Sequence, residues 1–205
     1  AVMDIFVQDT KLNLSPYYLK PGFAFGGSCL PKEVRAVRHL AAEAGVDVPL
    51  IASLIPSNEA QIAAAVEAVR ESGAQRIAVL GVAFKPGTDD LRESPILEVI
   101  DTLLREGREL TAFDPAIDAS VPIEGQFDYM RYASPHLEKT IRVLPEMLCE
   151  TAAEAVKEAD AIIVTHADAS YRKALAPHIG RRTVIDLARL YPMPVDLPGY
   201  RGIAW

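Results

Sequence analysis

The stretch RIAVLGVAF (residues 76–84) decides the fold class of this chain. It is an almost continuous apolar run, preceded by Gly73 and followed by the polar segment KPGTDD (residues 85–90). Such a run is typical of a strand that is buried on both faces of a parallel sheet. The sequence therefore predicts a central strand here, with helices packed on both sides of it.

Helical and strand-like segments alternate after this run. The segment SPILEVIDTLLREG (residues 94–107) predicts an amphipathic helix with a Ser94–Pro95 start and a Gly107 end. Further strands are predicted in ELTAFDP (109–115), DAIIVTH (160–166) and TVIDLAR (183–189), helices in TAAEAVKEAD (151–160) and ASYRKALAPHIG (169–180), an extra short strand in IRVLPEM (141–147), and an irregular surface segment over 116–134. Strands and helices that alternate over short connections predict parallel βαβ units, and hence an open, doubly wound, Rossmann-like sheet.

The chain before residue 75 is predicted to be helical. One helix is expected to have Ser28 as its N-cap, Pro31 near its first turn and Gly45 at its end. The predicted apolar face of this helix consists of Val34, Val37, Leu40 and Ala41.

A further helix is expected from about Pro49 to Ser72, kinked or split at Pro56 and ended by Gly73. We accordingly predict an α/β protein with two parts. Residues 1–74 form a helical segment that looks like the end of a longer domain, and residues 75–205 form the sheet domain.

Composition excludes several classes of protein. The 205 residues are 50% hydrophobic and 24% charged, which is globular rather than disordered, and the net charge of -7 disfavours a protein dominated by nucleic-acid binding. No apolar run has the roughly 18 residues of a membrane span, and no signal peptide is recognisable. Two distant cysteines, Cys29 and Cys149, are too few for a disulfide framework or a cysteine-based metal site, and they fit a reducing cytoplasm.

The first candidate site is the segment YYLKPGFAFGGSCLPKEVR (residues 17–35). Cys29 follows a glycine-rich loop and directly precedes a predicted helix, whose first N–H groups favour a negative charge. These N–H groups would stabilise a thiolate at this position. Cys29 is therefore a candidate nucleophile, although a lone cysteine is more often a small buried apolar residue.

Positive charge is concentrated around this loop. Residues 17–38 contain a single anion, Glu33, but four cations: Lys20, Lys32, Arg35 and Arg38. In an acidic protein this excess indicates a bound anion such as a phosphate. Four aromatic residues of the same segment could stack on a ligand or pack in the core: Tyr17, Tyr18, Phe23 and Phe25.

The second candidate site is FKPGTDDLRESP (residues 84–95), between the first predicted parallel strand and the next helix. Ligands of open α/β sheets bind at this end of a strand. Lys85 and Arg92 are the candidate ligand-binding cations, with Asp89 and Asp90 to orient them. A solvated loop with local ion pairs is the alternative. The dinucleotide fingerprint G-x-G-x-x-G is absent after this strand.

PGFAFGGSCLPKE (residues 21–33) and GVAFKPGTDDLRESP (residues 81–95) together closely resemble the UDP-glucose/GDP-mannose dehydrogenase family. YYLKPGFAFGGSCLPK and GTDDLRESP are nearer to its GDP-mannose branch, and the terminal GIAW is similar to that branch too. The resemblance covers essentially the whole chain.

This resemblance implies a three-part enzyme that oxidises the C6 alcohol of a nucleotide sugar to a carboxylate with two NAD. An N-terminal Rossmann domain binds NAD, a long central helix builds a homodimer or a dimer-based oligomer, and a C-terminal Rossmann-like domain helps to bind the nucleotide sugar, here GDP-mannose. The chain is expected to hold the end of the middle part and the C-terminal domain, and to be inactive alone.

The resemblance also assigns residues by motif position. Cys29 matches the family nucleophile, which forms a thiohemiacetal and then a thioester. Residues that match substrate-binding positions are Tyr17, Tyr18, Lys20, Phe23, Gly26 and Lys85. Lys32 and Arg92 match NAD contacts, and Glu33 stands where the family usually has aspartate.

Three alternatives stay open. The first is the same chemistry on a UDP-hexose such as UDP-glucose. The second is a non-catalytic module that binds a nucleotide sugar or mediates dimerisation. The third is a thiol-based redox sensor, for which no resolving cysteine lies nearby in the sequence.

Overall fold

The computed structural model describes residues 5–12, 15, 22–118, 132, 134–191 and 196–203. The helices are α1 (Leu30–Glu43), α2 (Pro49–Ser72), α3 (Pro95–Arg105), α4 (Glu138–Met147), α5 (Ala152–Val156) and α6 (Ala169–Leu175), with a 3₁₀ turn at Pro135–Leu137 before α4. The strands are β1 (Arg76–Leu80), β2 (Glu109–Phe113), β3 (Ala161–Val164), β4 (Thr183–Asp186) and β5 (Tyr200–Gly202).

The strands form one five-stranded sheet in the order β2-β1-β3-β4-β5, and every pair is parallel. The sheet therefore starts at the interior strand β1, continues to the edge strand β2 on one side, and then crosses back to β3, β4 and β5 on the other. This topology confirms the predicted α/β fold with a doubly wound parallel sheet.

Both faces of β1 are buried, as the apolar run predicts. Ile77 and Val79 belong to the core beneath α2, α3 and α4, whereas Ala78 and Leu80 belong to the core beneath α5 and α6. Successive side chains of a strand point to opposite faces, so an uninterrupted apolar strand needs a helical layer on each side.

Helix α2 runs from Pro49 to Ser72 with Pro56 inside it, so a split at Pro56 is wrong, whereas the alternative expectation of a kink there stays a prediction. Its last turns pack into the sheet core through Ala65, Val66, Ala68 and Val69. Gly73 ends the helix in a left-handed conformation, with φ at 68° and its N–H donating to the Arg70 carbonyl. The proposed domain boundary at residue 74 stays a prediction.

Helix α1 differs from the prediction at its start and on its apolar face. Its N-cap is Cys29 rather than Ser28, and the cap position has no hydrogen bond from a side chain. Of the predicted apolar face only Val34 is buried, at 5% exposed, whereas Val37 is 42% and Leu40 is 61% exposed. An apolar pattern along a helix gives the direction of its face but not whether another element covers it.

Two further differences concern secondary structure. IRVLPEM is part of helix α4 rather than a strand, because Ile141, Leu144 and Met147 recur at helical spacing and are buried on one side. Strand β5 was not predicted, since its three residues are mostly exposed and only Tyr200 packs inward. Within the part of the chain that is described, no helix has the length and apolar character needed to cross a membrane.

Candidate functional site

A groove of about 540 Å³ lies at the carboxyl ends of β1, β3 and β4. In a sheet of this order, the chain leaves β1 and β3 toward opposite sides, which opens a crevice between them where ligands bind. The groove is lined by residues 22–25, 83–86, 94–96, 165–167 and 187–188. It therefore brings together parts of both segments that the sequence singled out.

The floor of the groove is built from backbone groups that side chains hold in place. Asp114, just after β2, accepts hydrogen bonds from the N–H groups of Val82 (2.8 Å) and Ala83 (3.1 Å). On the other side Ser94, which is buried, donates to the Val82 carbonyl at 2.7 Å. Because these groups bond to side chains, they cannot extend the ladder, and β1 ends at Leu80 although the apolar run continues to Phe84.

The segment of residues 84–95, called the Lys85 loop below, is ordered by its own polar groups. The Lys85 ammonium lies 5.5 Å from the centre of the Phe84 ring, and the Phe84 N–H donates to the Asp90 carbonyl at 3.0 Å. Arg92 donates two side-chain hydrogen bonds to Asp90, at 2.8 and 2.7 Å, and this contact lowers the pKa of that carboxyl. Asp90 thus pairs with Arg92, which both the predicted orienting role and the alternative of a local ion pair allow, and the role stays a prediction.

The glycine-rich loop (residues 22–28) forms backbone hydrogen bonds with the rest of the protein. Asn58, on α2, accepts from the N–H of Phe25 at 2.7 Å and donates to its carbonyl at 2.9 Å. A Cβ added to Gly26 would collide with the Glu93 carbonyl and with Pro95 Cδ (2.7 Å), and Gly27 packs on the Phe84 ring with φ at 84°. Only glycine lets this loop approach the Lys85 loop so closely.

Cys29 lies four residues beyond the part of this loop that lines the groove. It is exposed, occupies the N-cap of α1, and its Sγ is 3.9 Å from Ser28 Oγ. Four residues span at most about 14 Å, which limits the distance between the backbones of Phe25 and Cys29. The thiol can be farther from the groove than this limit by at most the length of its own side chain. Next to it Lys32 pairs with Glu33 at 3.2 Å, with both side chains exposed.

His166 is the titratable side chain that sequence reasoning missed in the groove. It is 7% exposed, and its Nδ1 is 3.8 Å from Asp114 Oδ2. Burial lowers the pKa of His166, and the opposing effect of Asp114 does not offset this. The switch-point rule could have found His166, since it follows β3 as Phe84 and Lys85 follow β1.

The predicted site residues fall into three groups. Phe23 and Lys85 line the groove, and Gly26 packs on the adjoining Glu93–Pro95 turn. Cys29 and Lys32 lie at the exposed start of α1, and Arg92 bonds to Asp90 within its own loop. Tyr17, Tyr18 and Lys20 lie outside the described residues, and the roles of all these residues stay predictions.

Comparisons with known proteins agree with this geometry. Residues 1–60 match the central domain of the UDP-glucose/GDP-mannose dehydrogenase family, and residues 78–192 match its UDP binding domain. The chain is 37% identical over 205 residues to GDP-mannose 6-dehydrogenase of Pseudomonas putida, and it spans 45% of the length of that relative. It is also 36% identical over 129 residues to the UDP-glucose 6-dehydrogenase TuaD of Bacillus subtilis, covering 60% of this chain.

Solved structures give the same result. A ternary complex of GDP-mannose dehydrogenase from Pseudomonas aeruginosa superposes with a TM-score of 0.79 at 34% identity, over 100% of this chain and 45% of that one. A UDP-glucose dehydrogenase from Pyrobaculum islandicum shares the fold with a TM-score of 0.73 at 23% identity, over 100% of this chain and 43% of that one. Fold, loop motifs and family models coincide, and the chain belongs to the UDP-glucose/GDP-mannose dehydrogenase family.

Proposed function

We propose that the intact protein is an NAD-dependent GDP-mannose 6-dehydrogenase, to which this chain contributes the thiol and part of the nucleotide-sugar site. The observation that carries the proposal is that residues 22–25 and 83–86 line one groove. The loop that leads to Cys29 thus faces the loop that carries Lys85. The similarity to GDP-mannose 6-dehydrogenases over the whole chain supports the choice of substrate.

The groove has the chemistry that a nucleotide sugar requires. Lys85 supplies a positive charge for a diphosphate, and Phe23 supplies an apolar surface for a sugar or a base. In the proposed complex, Lys85 holds the diphosphate while the sugar extends toward Cys29. Tyr17, Tyr18, Lys20 and Gly26 complete the substrate site in this proposal.

The described residues do not form a cradle for a dinucleotide. The segment after β1 lines the groove instead of making a tight glycine turn. The hydroxyl of Ser94, at the start of α3, donates a hydrogen bond to the Val82 carbonyl and is thus not directed at a phosphate. Lys32 and Arg92 are partly exposed cations that can contact an NAD phosphate approaching from outside this chain. NAD would supply the hydride acceptor, held chiefly by other parts of the intact protein.

The role of Cys29 follows from carbonyl chemistry. Loss of a hydride and a proton from the C6 alcohol leaves an aldehyde, to which the Cys29 sulfur adds, and its oxygen takes up a proton to give a thiohemiacetal. Loss of a second hydride and a proton gives a thioester. Water then attacks the carbonyl, the C–S bond breaks, and the carboxylate, the free thiolate and two protons are released. Covalent capture keeps the aldehyde from escaping.

The exposed position of Cys29 suits this chemistry, because the sulfur must reach a substrate carbon. The homodimer or dimer-based oligomer that the family resemblance implies, and the reducing cytoplasm that the two cysteines fit, stay predictions. The isolated chain is expected not to turn over GDP-mannose.

The test uses the intact protein with GDP-mannose or UDP-glucose and NAD. We expect GDP-mannose to be oxidised to the acid, and Cys29→Ser to lower acid formation by at least about a thousandfold, with slow release of aldehyde. Cys149→Ser is the matched control, since Cys149 is half-buried beside β2, and should keep full activity.

Three results would contradict parts of this proposal. Preferential turnover of UDP-glucose would favour the alternative substrate, which the similarity to TuaD already raises. Full turnover by Cys29→Ser would remove the thiol from the mechanism. Binding of GDP-mannose without any oxidation would favour the non-catalytic module.

A further inference from the structure

Glu93 lies where the two loops of the candidate site meet. Its carbonyl accepts a hydrogen bond from the Gly27 N–H at 3.3 Å, two residues before Cys29. The same carbonyl lies against Gly26, so closely that a Cβ there would collide with it. The backbone of Glu93 therefore sets how near the glycine-rich loop comes to the Lys85 loop.

The side chain of Glu93 makes a second connection between the same two segments. Arg35 donates from Nη1 to Oε2 at 3.0 Å and from Nη2 to Oε1 at 2.7 Å, which is a bidentate ion pair. The Glu93 side chain is only 12% exposed. Arg35 is in the second turn of α1, whose N-cap is Cys29, so the pair fixes the helix that carries the thiol.

The backbone of Glu93 is held in an unfavourable conformation. Its φ is 47°, a left-handed value that only one other non-glycine residue of the described chain, Arg189, adopts. Residues with a side chain keep such a conformation only where surrounding contacts impose it. For Glu93 these contacts are the Gly27 N–H on one side and the Arg35 guanidinium on the other.

We propose that Glu93, held by Arg35, is a positioning residue that fixes the distance between Cys29 and the groove at the carboxyl ends of the strands. The inference rests on the function proposed above, in which the groove binds the nucleotide and the thiol attacks the sugar. Breaking the pair would leave Phe25 bonded to Asn58 and the Lys85 side of the groove in place, but would let α1 and the glycines next to it shift. Turnover would then suffer more than substrate binding, because a misplacement of about 1 Å can cost up to about a hundredfold in rate.

The experiment compares Arg35→Gln with the wild type in the intact protein, since this change removes the ion pair and leaves the Glu93 backbone untouched. We expect kcat for GDP-mannose to fall by at least about tenfold while KM stays within about threefold. Hydrogen exchange of the amides of residues 22–29 should become faster by about fivefold or more. The exchanged pair Arg35→Glu with Glu93→Arg should recover part of kcat and slow this exchange again.

Arg76→Gln is the matched control. Arg76 also makes a two-pronged contact with a carboxylate, Asp160, but at the opposite, amino end of the sheet. This variant should keep the kcat and the exchange rates of the wild type. A loss of kcat in both variants would mean that any broken ion pair lowers activity, and would overturn the proposal.

Other outcomes also decide the matter. A raised KM with unchanged kcat, or wild-type behaviour of Arg35→Gln in both measurements, would overturn the positioning role and leave the proposed function intact. If the wild type oxidises no nucleotide sugar, the proposed function fails instead. The exchange comparison, which needs no substrate, then decides by itself whether the pair holds the loop.

Discussion

The Oδ2 atom of Asp114 lies 2.8 Å from the backbone nitrogen of Val82, and this hydrogen bond lies where strand β1 has ended. The carboxylate follows β2, whereas the N–H group follows β1, so the contact joins the carboxyl ends of two neighbouring strands. Ala83 donates to the same oxygen. The two bonds turn the chain out of the sheet and place Phe84 and Lys85 at the groove.

Replacing Asp114 by alanine is predicted to destabilise the fold. The change leaves the N–H groups of Val82 and Ala83 buried without an acceptor, which costs about 2–5 kcal/mol in the free energy of unfolding. Urea denaturation measures this loss, with Asp47→Ala as the control, since Asp47 is exposed. An Asp114→Ala midpoint equal to that of the control would contradict the structural role.

The effect on activity of glycine substitutions in the loop before Cys29 should depend on their position. Gly26→Ala and Gly27→Ala are predicted to lower kcat/KM for the nucleotide sugar by about tenfold, because a Cβ at either position forces the loop away from Glu93 or Phe84. Gly22→Ala is the matched control, since nothing among the described residues lies within 4 Å of its added Cβ. Equal effects at Gly22 and Gly26 would show that close packing is not the cause.

Two tyrosine hydroxyls are predicted to contribute differently to stability. Tyr200 donates to the buried carboxylate of Asp186 at 2.5 Å, so Tyr200→Phe should lower the free energy of unfolding by about 1–3 kcal/mol. The buried Tyr171 hydroxyl has no hydrogen-bond partner in the described part of the chain. Tyr171→Phe should therefore leave stability unchanged or raise it, as thermal unfolding of the two variants can measure.

Stability is predicted to fall in mildly acidic solution because of His166. Burial lowers its pKa in the folded protein below the usual value, so the unfolded chain binds a proton more readily. The contribution of His166 is thus fully present above about pH 6.5 and is lost as the pH falls through the folded pKa. Burial and the nearby Arg182 and Arg181 lower the pKa of His178 as well, which adds a loss of the same sign.

Urea unfolding between about pH 7.5 and about pH 5 tests this assignment. The fall in unfolding free energy should be smaller in His166→Gln than in the wild type, because glutamine does not titrate. His39→Gln is the control, since His39 is an exposed residue of α1 whose Nε2 lies 3.5 Å from Glu43. An unchanged pH dependence in His166→Gln would remove His166 as its source.

Local sequence patterns predicted the elements that depend only on neighbouring residues. The apolar run of β1 and the helix start at Ser94 and Pro95 are read from neighbouring residues, and both are confirmed. The end of β1 depends instead on Asp114, about thirty residues away, and β5 is held in part by the bond from Tyr200 to Asp186. Contacts between residues distant in the sequence leave no periodic signal, so these two features were missed.

The same distinction applies to the candidate site. Glycine, cysteine and lysine at fixed spacing identified the two loops. What joins the loops was not identified: Asn58 bonds to Phe25, and Arg35 bonds to Glu93, across 33 and 58 residues. A single sequence gives the chemistry of each segment but not which segments meet.

The unbroken course of α2 has a consequence for how the gene can change. Asn58, in the third turn of this helix, bonds to the glycine-rich loop, and the helix ends before β1 at Gly73, roughly 22 Å away at 1.5 Å per residue. A single codon inserted between them would turn Asn58 by about 100° around the helix axis and away from Phe25. Length variation among functional versions of this protein should therefore avoid α2 and accumulate in surface connections.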